Sequence, residues 1–282
     1  MDQQEMHYGS DYKFIPASTV QNGSGIEVLP DLYMRTIQFV NVVFCGDPKK
    51  GKFIIVDAGM PTTANQIISK AVERFGRDVK PKAIILTHGH IDHVGAIIEL
   101  INHWQVPVYA HPLELPYLTG LKNYPEPDSS VNGGLIAKLS SFIPNDGIDL
   151  GSNVQEIPSD GTVPFMNDYR WIHTPGHTPG HISLFRDSDG ALIAGDAFVT
   201  VKQESLFKVY TQKKEISGPP KYFTTDWIAA KESVKELEAL KPTVAITGHG
   251  LPMRGEELTK SLRKLVDKFD QIALPNQGKY LN

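Results

Sequence analysis

Six of the ten histidines fall in two short windows. His88, His90 and His93 share one window; His173, His177 and His181 share the other. Histidines that only pack or meet solvent have no reason to cluster so tightly, whereas binding a cation requires it. The first window, Thr87-His88-Gly89-His90-Ile91-Asp92-His93, follows the apolar run Ala83-Ile84-Ile85-Leu86, which reads as a buried strand. It precedes a helix expected from about His93 to Trp104, with Val94, Ile97, Ile98 and Ile101 on one face and Asp92 at the N-cap. His88 and His90, two apart, point to the same side of an extended chain. Gly89 leaves room for the backbone to fold around an ion. Taken singly, Asp92 reads as a helix cap, His93 as a first-turn polar residue and His88 as a strand-end histidine. Taken together, four imidazole and carboxylate donors at one strand-to-helix junction read as a metal site. Those donors suit zinc, and also manganese or iron. No cysteine lies nearby, which excludes a Cys-rich structural zinc site.

The rest of the chain alternates strand and helix patterns. Strands are expected at Ile26–Leu29, Ile37–Cys45 and Phe53–Val56, where β-branched and aromatic residues dominate between Gly and Pro. A helix over 62–76 is expected from Ile67, Ile68, Ala71, Val72 and Phe75, capped by Thr62 or Thr63. Further strands fall at 107–110 and near 153–157, 169–173, 182–186 and 191–195, with another at Val244–Ile246. Helices are expected at Asp226–Leu240 and Glu256–Phe269, the latter burying Leu258, Leu262, Leu265, Val266 and Phe269. Residues 1–22 lack periodicity and read as an N-terminal arm. Residues 111–150 are rich in Pro, Gly and Asn and read as a loop and short-helix insertion near the site. With no linker or repeat, the 282 residues are expected to form a single domain of layered α/β or α+β type.

Composition narrows the class. A hydrophobic content of 40% with 21% charged residues excludes a disordered or fibrous chain. A net charge of −4 offers no global basic field, so no nucleic-acid partner is expected. No apolar run approaches the roughly 18 residues of a membrane helix, and the opening Met1-Asp2-Gln3-Gln4-Glu5 has no signal-peptide pattern. The lone Cys45 excludes an intrachain disulfide. A cytoplasmic protein acting on a small molecule is the expectation.

His88-Gly89-His90-Ile91-Asp92-His93 resembles the HxHxDH signature of the metallo-β-lactamase fold superfamily. Val56-Asp57-Ala58-Gly59, the turn Thr174–His181, Ala194-Gly195-Asp196 and Thr247-Gly248-His249-Gly250 resemble its other motifs, in the same order. The resemblance implies a four-layer αββα sandwich with the site at one edge. It implies two divalent metal ions per chain, most simply zinc, with manganese or iron as alternatives. His88, His90 and His177 correspond to the ligands of the first ion, and Asp92, His93 and His249 to those of the second. Asp196 corresponds to the carboxylate shared by both, and Asp57 to a residue orienting the site through hydrogen bonds. His177 is chosen in its window because it follows Pro-Gly; His173 and His181 read as supporting or strand-end residues. The implied reaction is hydrolysis of an ester, thioester, lactone or related bond by a metal-bridging hydroxide, with Asp92 also serving as the catalytic residue that orients the nucleophile or carries a proton.

The pattern is nearest to the lactonase and glyoxalase II branches. Lactonases usually place a tyrosine three residues after the shared aspartate, where this chain has Val199. Glyoxalase II enzymes carry a basic helical extension, and only about thirty residues follow His249 here. An iron-dependent oxidoreductase resembling persulfide dioxygenases, or a phosphodiesterase or nuclease, is the alternative on the same fold. Substrate loops are expected at 111–150 and 200–224, where Tyr117, Phe207, Tyr210, Tyr222 and Phe223 either line a pocket or pack the core. Gly46-Asp47-Pro48-Lys49-Lys50-Gly51-Lys52 has the GxxxxGK spacing of a phosphate loop. A strand follows it instead of a helix, so it reads as a basic hairpin loop.

Overall fold

The structure is a computed structural model that describes residues 5–132 and 140–281. Chain packing divides these residues into two compact units. The first comprises the residues up to Tyr124 together with Pro144–Pro158; the second comprises those of Pro125–Ile143 and from Ser159 onward. The expected 111–150 insertion is therefore shared between the units, and its residues 133–139, like residues 1–4 of the expected arm, lie outside the described residues.

The first unit is built on one sheet in sequential order. β1 (Gly25–Leu29), β2 (Leu32–Ile37), β3 (Val40–Cys45) and β4 (Ile54–Val56) pair antiparallel. β5 (Ile84–Ile85), β6 (Val108–Ala110) and β7 (Val154–Glu156) extend it in parallel from β4. Parallel neighbours need crossovers. α1 (Ala64–Phe75) makes the first, burying Ala64, Ile67, Ala71 and Phe75. α2 (Ile91–Val94) and α3 (Ile97–Trp104) make the second. The helices join Phe44, Phe53, Ile55 and Ile84 in one apolar core, in which the Phe53 and Phe75 rings stack at 3.9 Å. The arm lies along α3: the Tyr8 hydroxyl donates to Glu99, and that of Tyr12 to the Gly95 carbonyl at 2.7 Å.

Three expectations need correction here. Ile37–Cys45 is not one strand, because the chain reverses at Gln38–Phe39 to form the β2–β3 hairpin. Gln38 takes φ +57 with no glycine to announce it, and Thr19 and Asn22 of the arm secure the turn by hydrogen bonds to its backbone. The helix after the first histidine window is broken at Gly95–Ala96. Gly95 donates to the Gly59 carbonyl at 2.8 Å, and a Cβ on it would lie 2.3 Å from the Pro61 nitrogen, so the chain must turn aside there. Asp92 is not the cap: it lies within α2, and extended His90 holds the N-cap position. At the other helix, Thr63 does occupy the N-cap of α1. The lysine-rich segment 46–52 joins β3 to β4 around a short 3-10 turn, as a hairpin loop.

The second unit has its own sheet, in the order β12-β11-β10-β9-β8. β8 (Tyr169–His173), β9 (Ile182–Arg186) and β10 (Ala191–Ile193) are antiparallel neighbours. β11 (Val244–Ile246) runs parallel to β10, and β12 (Met253–Arg254) closes the edge. After α4 (Leu115–Leu118) of the first unit and the short α5 (Leu206–Thr211), the crossover from β10 to β11 is α6 (Trp227–Ala239), capped by Asp226 accepting from the Ala229 amide at 2.9 Å. α7 (Gly255–Asp267) packs beside it, so that Trp227, Ala230, Val234 and Leu237 meet Leu258, Leu262 and Leu265. The expected single C-terminal helix breaks at Lys268 and resumes as α8 (Phe269–Ile272).

Candidate metal centre

In each unit the donors follow strands whose carboxyl ends share one edge of the sheet, the place where an α/β sheet gathers side chains. In the first unit, Asp57 follows β4 and the first histidine window follows the parallel neighbour β5. Asp57 takes φ +62, a left-handed conformation that a short polar side chain tolerates. Its buried carboxylate accepts from the Thr87 amide at 2.8 Å and from the Thr87 hydroxyl, and meets His93 Nδ1 at 2.8 Å. The Ala58 amide donates to the His93 carbonyl at 2.6 Å, so the two segments are tied by backbone as well. The His88 ring centroid lies 4.7 Å from that of His90 and 4.1 Å from that of His93, and Asp92 Oδ2 lies 3.9 Å from His93 Nε2. His88, His90, Asp92 and His93 are all buried.

Two residues outside the motifs hold this loop. Glu114, wholly buried, accepts from the Gly89 amide at 3.0 Å. Tyr124 donates its hydroxyl to Glu114, stands 3.0 Å from the same amide, and sets its ring 4.6 Å from that of His90. Burial and the Glu114 charge push the Tyr124 phenol well above the usual tyrosine range. The space beside Gly89 is taken by the Tyr124 hydroxyl, which would stand 2.5 Å from an added Cβ. Gly89 is thus required by this tyrosine, a reason the motif alone does not reveal.

In the second unit, β8, β10 and β11 run the same way. The second histidine window forms the turn between β8 and β9, Asp196 follows β10, and His249 follows β11. Asp196 Oδ2 lies 3.6 Å from His177 Nε2 and 3.2 Å from His249 Nε2, and all three residues are buried. His177 Nδ1 meets the Thr224 hydroxyl at 3.2 Å, which turns Nε2 toward Asp196. The His181 Nδ1 pairs with Thr174 at 2.8 Å, and its Nε2 accepts from the Asp196 amide at 2.8 Å. His181 therefore uses both ring nitrogens to hold Asp196 in place. His173 bonds outward, to the Pro179 carbonyl.

The segment 200–224 is anchored to these histidines. Thr200 donates its amide to the His249 carbonyl at 3.2 Å and its hydroxyl to Leu251, and Val199 bridges Ser217. Between Thr200 and Ser217 the chain carries α5, which exposes Leu206, Phe207 and Tyr210. Tyr222 and Phe223 instead pack with Val131 in a small core. Tyr117 is half-buried and stacks on Tyr124 at 4.1 Å. The five aromatics thus divide between surface, core and metal loop.

The family model that describes the metallo-beta-lactamase superfamily matches residues 35–249, from β2 through the last histidine motif. The chain belongs to the metallo-β-lactamase superfamily. Among its relatives in this superfamily of metallo-hydrolases is the "Probable metallo-hydrolase YflN" of Bacillus subtilis. That relative is 47% identical over 260 residues, which cover 92% of this chain and 98% of the relative. A hydroxyacylglutathione hydrolase, GloC of Haemophilus influenzae, is 27% identical over 61% of this chain and 70% of its own. Among solved structures, an archaeal metallo-β-lactamase superfamily protein from Sulfolobus tokodaii aligns with a TM-score of 0.56 at 23% identity, covering 91% of this chain and 84% of the other. The BLEG-1 B3 metallo-β-lactamase aligns with a TM-score of 0.54 at 21% identity over 86% of this chain and 96% of the other. The mixed α/β architecture with two sheets is the metallo-β-lactamase fold. Among the described residues no helix is long and apolar enough to cross a membrane.

Proposed function

We propose that this chain is a dinuclear metallo-hydrolase that cleaves an ester, thioester, lactone or related bond in a small molecule. The carrying observation is the donor set: His88, His90, Asp92, His93, His177, Asp196 and His249 are all buried. Burying seven titratable side chains is costly unless they share charge with a cation. The ring nitrogens already engaged fit such a role. Asp57 holds Nδ1 of His93, Thr224 that of His177 and Thr87 that of His88, which leaves each Nε2 as the ligand atom. Within each unit the donors converge: the His88 ring lies 4.7 Å from that of His90 and 4.1 Å from that of His93, and one Asp196 oxygen lies 3.6 Å from His177 Nε2 and 3.2 Å from His249 Nε2. In this reading His88, His90 and His177 would hold one ion, and Asp92, His93 and His249 the other, with Asp196 serving both.

Divalent ions held by these residues would supply a water of lowered pKa and a Lewis acid for the scissile oxygen. The protein's own groups do the rest. Asp57 and Thr224 fix the ring planes of His93 and His177. His181 fixes the Asp196 backbone. Asp92 orients the attacking water and passes its proton to the leaving group. Exposed Leu206, Phe207 and Tyr210 contact the apolar part of the substrate. The similarity to a hydroxyacylglutathione hydrolase supports an acyl bond over a phosphodiester.

Elemental analysis of the purified protein tests this first. About two zinc or manganese ions per chain, with turnover of thioesters or lactones, is the expected result. About one iron per chain, with oxygen consumption on thiol substrates, overturns it in favour of an oxidoreductase.

A further inference from the structure

We propose that Glu114 and Tyr124 form a clamp that positions the His88-Gly89-His90 loop and thereby sets the affinity of the ion bound by His88 and His90. The inference rests on the metal reading above and adds two positioning residues to it.

The argument begins with Gly89. Its amide lies between two donors, and glycine has the widest backbone freedom of any residue. Left alone, that freedom would spread the relative positions of His88 and His90 over many states. The Tyr124 hydroxyl and Leu118 leave no space for a side chain at position 89, so the freedom cannot be removed by substitution. It is removed by hydrogen bonding: the Gly89 amide donates to Glu114 Oε2 at 3.0 Å, and the Tyr124 oxygen stands 3.0 Å from the same nitrogen.

The clamp itself is fixed. The Tyr124 amide donates to the Asn145 carbonyl at 3.0 Å, and the Asn145 side chain returns a bond to the Tyr124 carbonyl at 3.0 Å. Tyr117 stacks on the Tyr124 ring with an interplanar angle of 11°. Leu118 and Tyr117 accept from the Leu150 and Ile148 amides at 2.9 Å each. Packing alone does not explain the polar atoms. A phenylalanine would fill the Tyr124 volume, and a wholly buried carboxylate such as Glu114 is destabilising unless hydrogen bonds hold it. Both polar groups converge on one amide, the one between the two histidines.

The test titrates cobalt(II) into the metal-free protein and follows its visible spectrum for Tyr124→Phe, Glu114→Ala and Glu114→Gln. Tyr124→Phe and Glu114→Ala are expected to weaken one of the two binding steps about tenfold to a hundredfold, the range for partners that orient ligands, and to leave the other step unchanged. kcat should fall in proportion with little change in KM. Glu114→Gln keeps an acceptor for the Gly89 amide and should bind within threefold of wild type. Ile67→Val, in the core of the same unit, is the control that lowers stability without touching the loop. Gly89→Ala adds a second arm that survives poor folding of any one variant. Its loss should be smaller in a Tyr124→Phe background than alone, because the nearer of the two clashing atoms is gone while Leu118 Cδ2, 2.9 Å from the added Cβ, remains. Wild-type binding of two ions with unchanged titrations in Tyr124→Phe and Glu114→Ala overturns the clamp alone. Losses of both steps that merely track melting temperature, as in Ile67→Val, also overturn it. A wild-type protein that binds no ion overturns the metal reading and the clamp with it.

Discussion

Asp57 Oδ2 and His93 Nδ1 meet at 2.8 Å in a buried pair, joining the ends of two parallel neighbouring strands. The aspartate stands in left-handed backbone and spends its carboxylate on Thr87 and His93, which bracket the first motif. Asp57→Ala is therefore expected to lower metal affinity about 10- to 100-fold by releasing the His93 ring. It should also destabilise the fold by about 1–3 kcal/mol, since the buried Thr87 amide loses its acceptor. Metal titration and thermal melting check both parts; unchanged affinity in a folded variant would falsify the orienting role.

Asp196 lies within 3.6 Å of His177 Nε2 and 3.2 Å of His249 Nε2 through the same oxygen. Asp196→Ala should depress uptake of the two proposed ions together. Metal counted per chain by mass spectrometry should drop well below one; a variant that keeps one ion at full occupancy would show that the carboxylate serves a single ion.

His181 donates nothing to the proposed ions, yet its Nε2 accepts the Asp196 amide. His181→Phe keeps an aromatic ring, somewhat larger than the imidazole, and removes both hydrogen bonds. The expected result is a 10- to 100-fold loss in kcat with the protein still folded. A His181→Phe enzyme with wild-type kcat would mean that Asp196 needs no such support.

Asp128 accepts from Ser130 and, at 2.6 Å, from the Lys279 amide, tying the C-terminal tail to segment 126–132. Burial acts to raise its pKa, but those hydrogen bonds and the Lys279 charge prevail, and the carboxyl is held below the usual aspartate range. A pKa lower in the folded state adds stability above the unfolded value, and that stability is lost as pH falls through the folded one. Protection of the amides at Gln277–Tyr280, corrected for the intrinsic exchange rate at each pH, should accordingly fall only below about pH 4. Asp128→Asn should show fast exchange already at neutral pH. Protection that ignores both the acid step and the substitution would break this link.

Leu206, Phe207 and Tyr210 stand exposed on α5. Replacing Phe207 and Tyr210 by Ser should leave the melting temperature nearly unchanged, as for most surface changes. KM for an apolar acyl substrate should rise at constant kcat and metal content. Unaltered KM across substrates of differing chain length would remove this helix from substrate binding.

Much of the fold was legible because its elements are short and cleanly bounded. Tyr169–His173 and Ile182–Arg186 appear where the β pattern places them, and so does Val244–Ile246. The placement of the motif residues after β4, β5, β10 and β11 was legible because each motif is local. What escaped was non-local. Nothing in the run Ile37–Cys45 marks a reversal, which is secured by Thr19 and Asn22. Glu114 and Tyr124 lie 25 and 35 residues from the Gly89 amide they hold. In the sequence, Glu114 reads as an exposed loop residue after the strand 108–110; only the structure shows it buried. Gly95, inside an apolar periodic run, could have warned of the break between α2 and α3.

The excursion from Thr200 to Ser217 begins at a residue bonded to the His249 carbonyl, and the segment after it ends at Thr224, which holds His177. Its two footings are thus mechanically separate from its tip. Doubling the length of such a loop costs only about 0.6 kcal/mol of closure entropy. Descendants of this chain can therefore try new lengths and new side chains at the tip while the histidine geometry stays put, which makes the excursion the cheapest route by which this scaffold changes what it accepts.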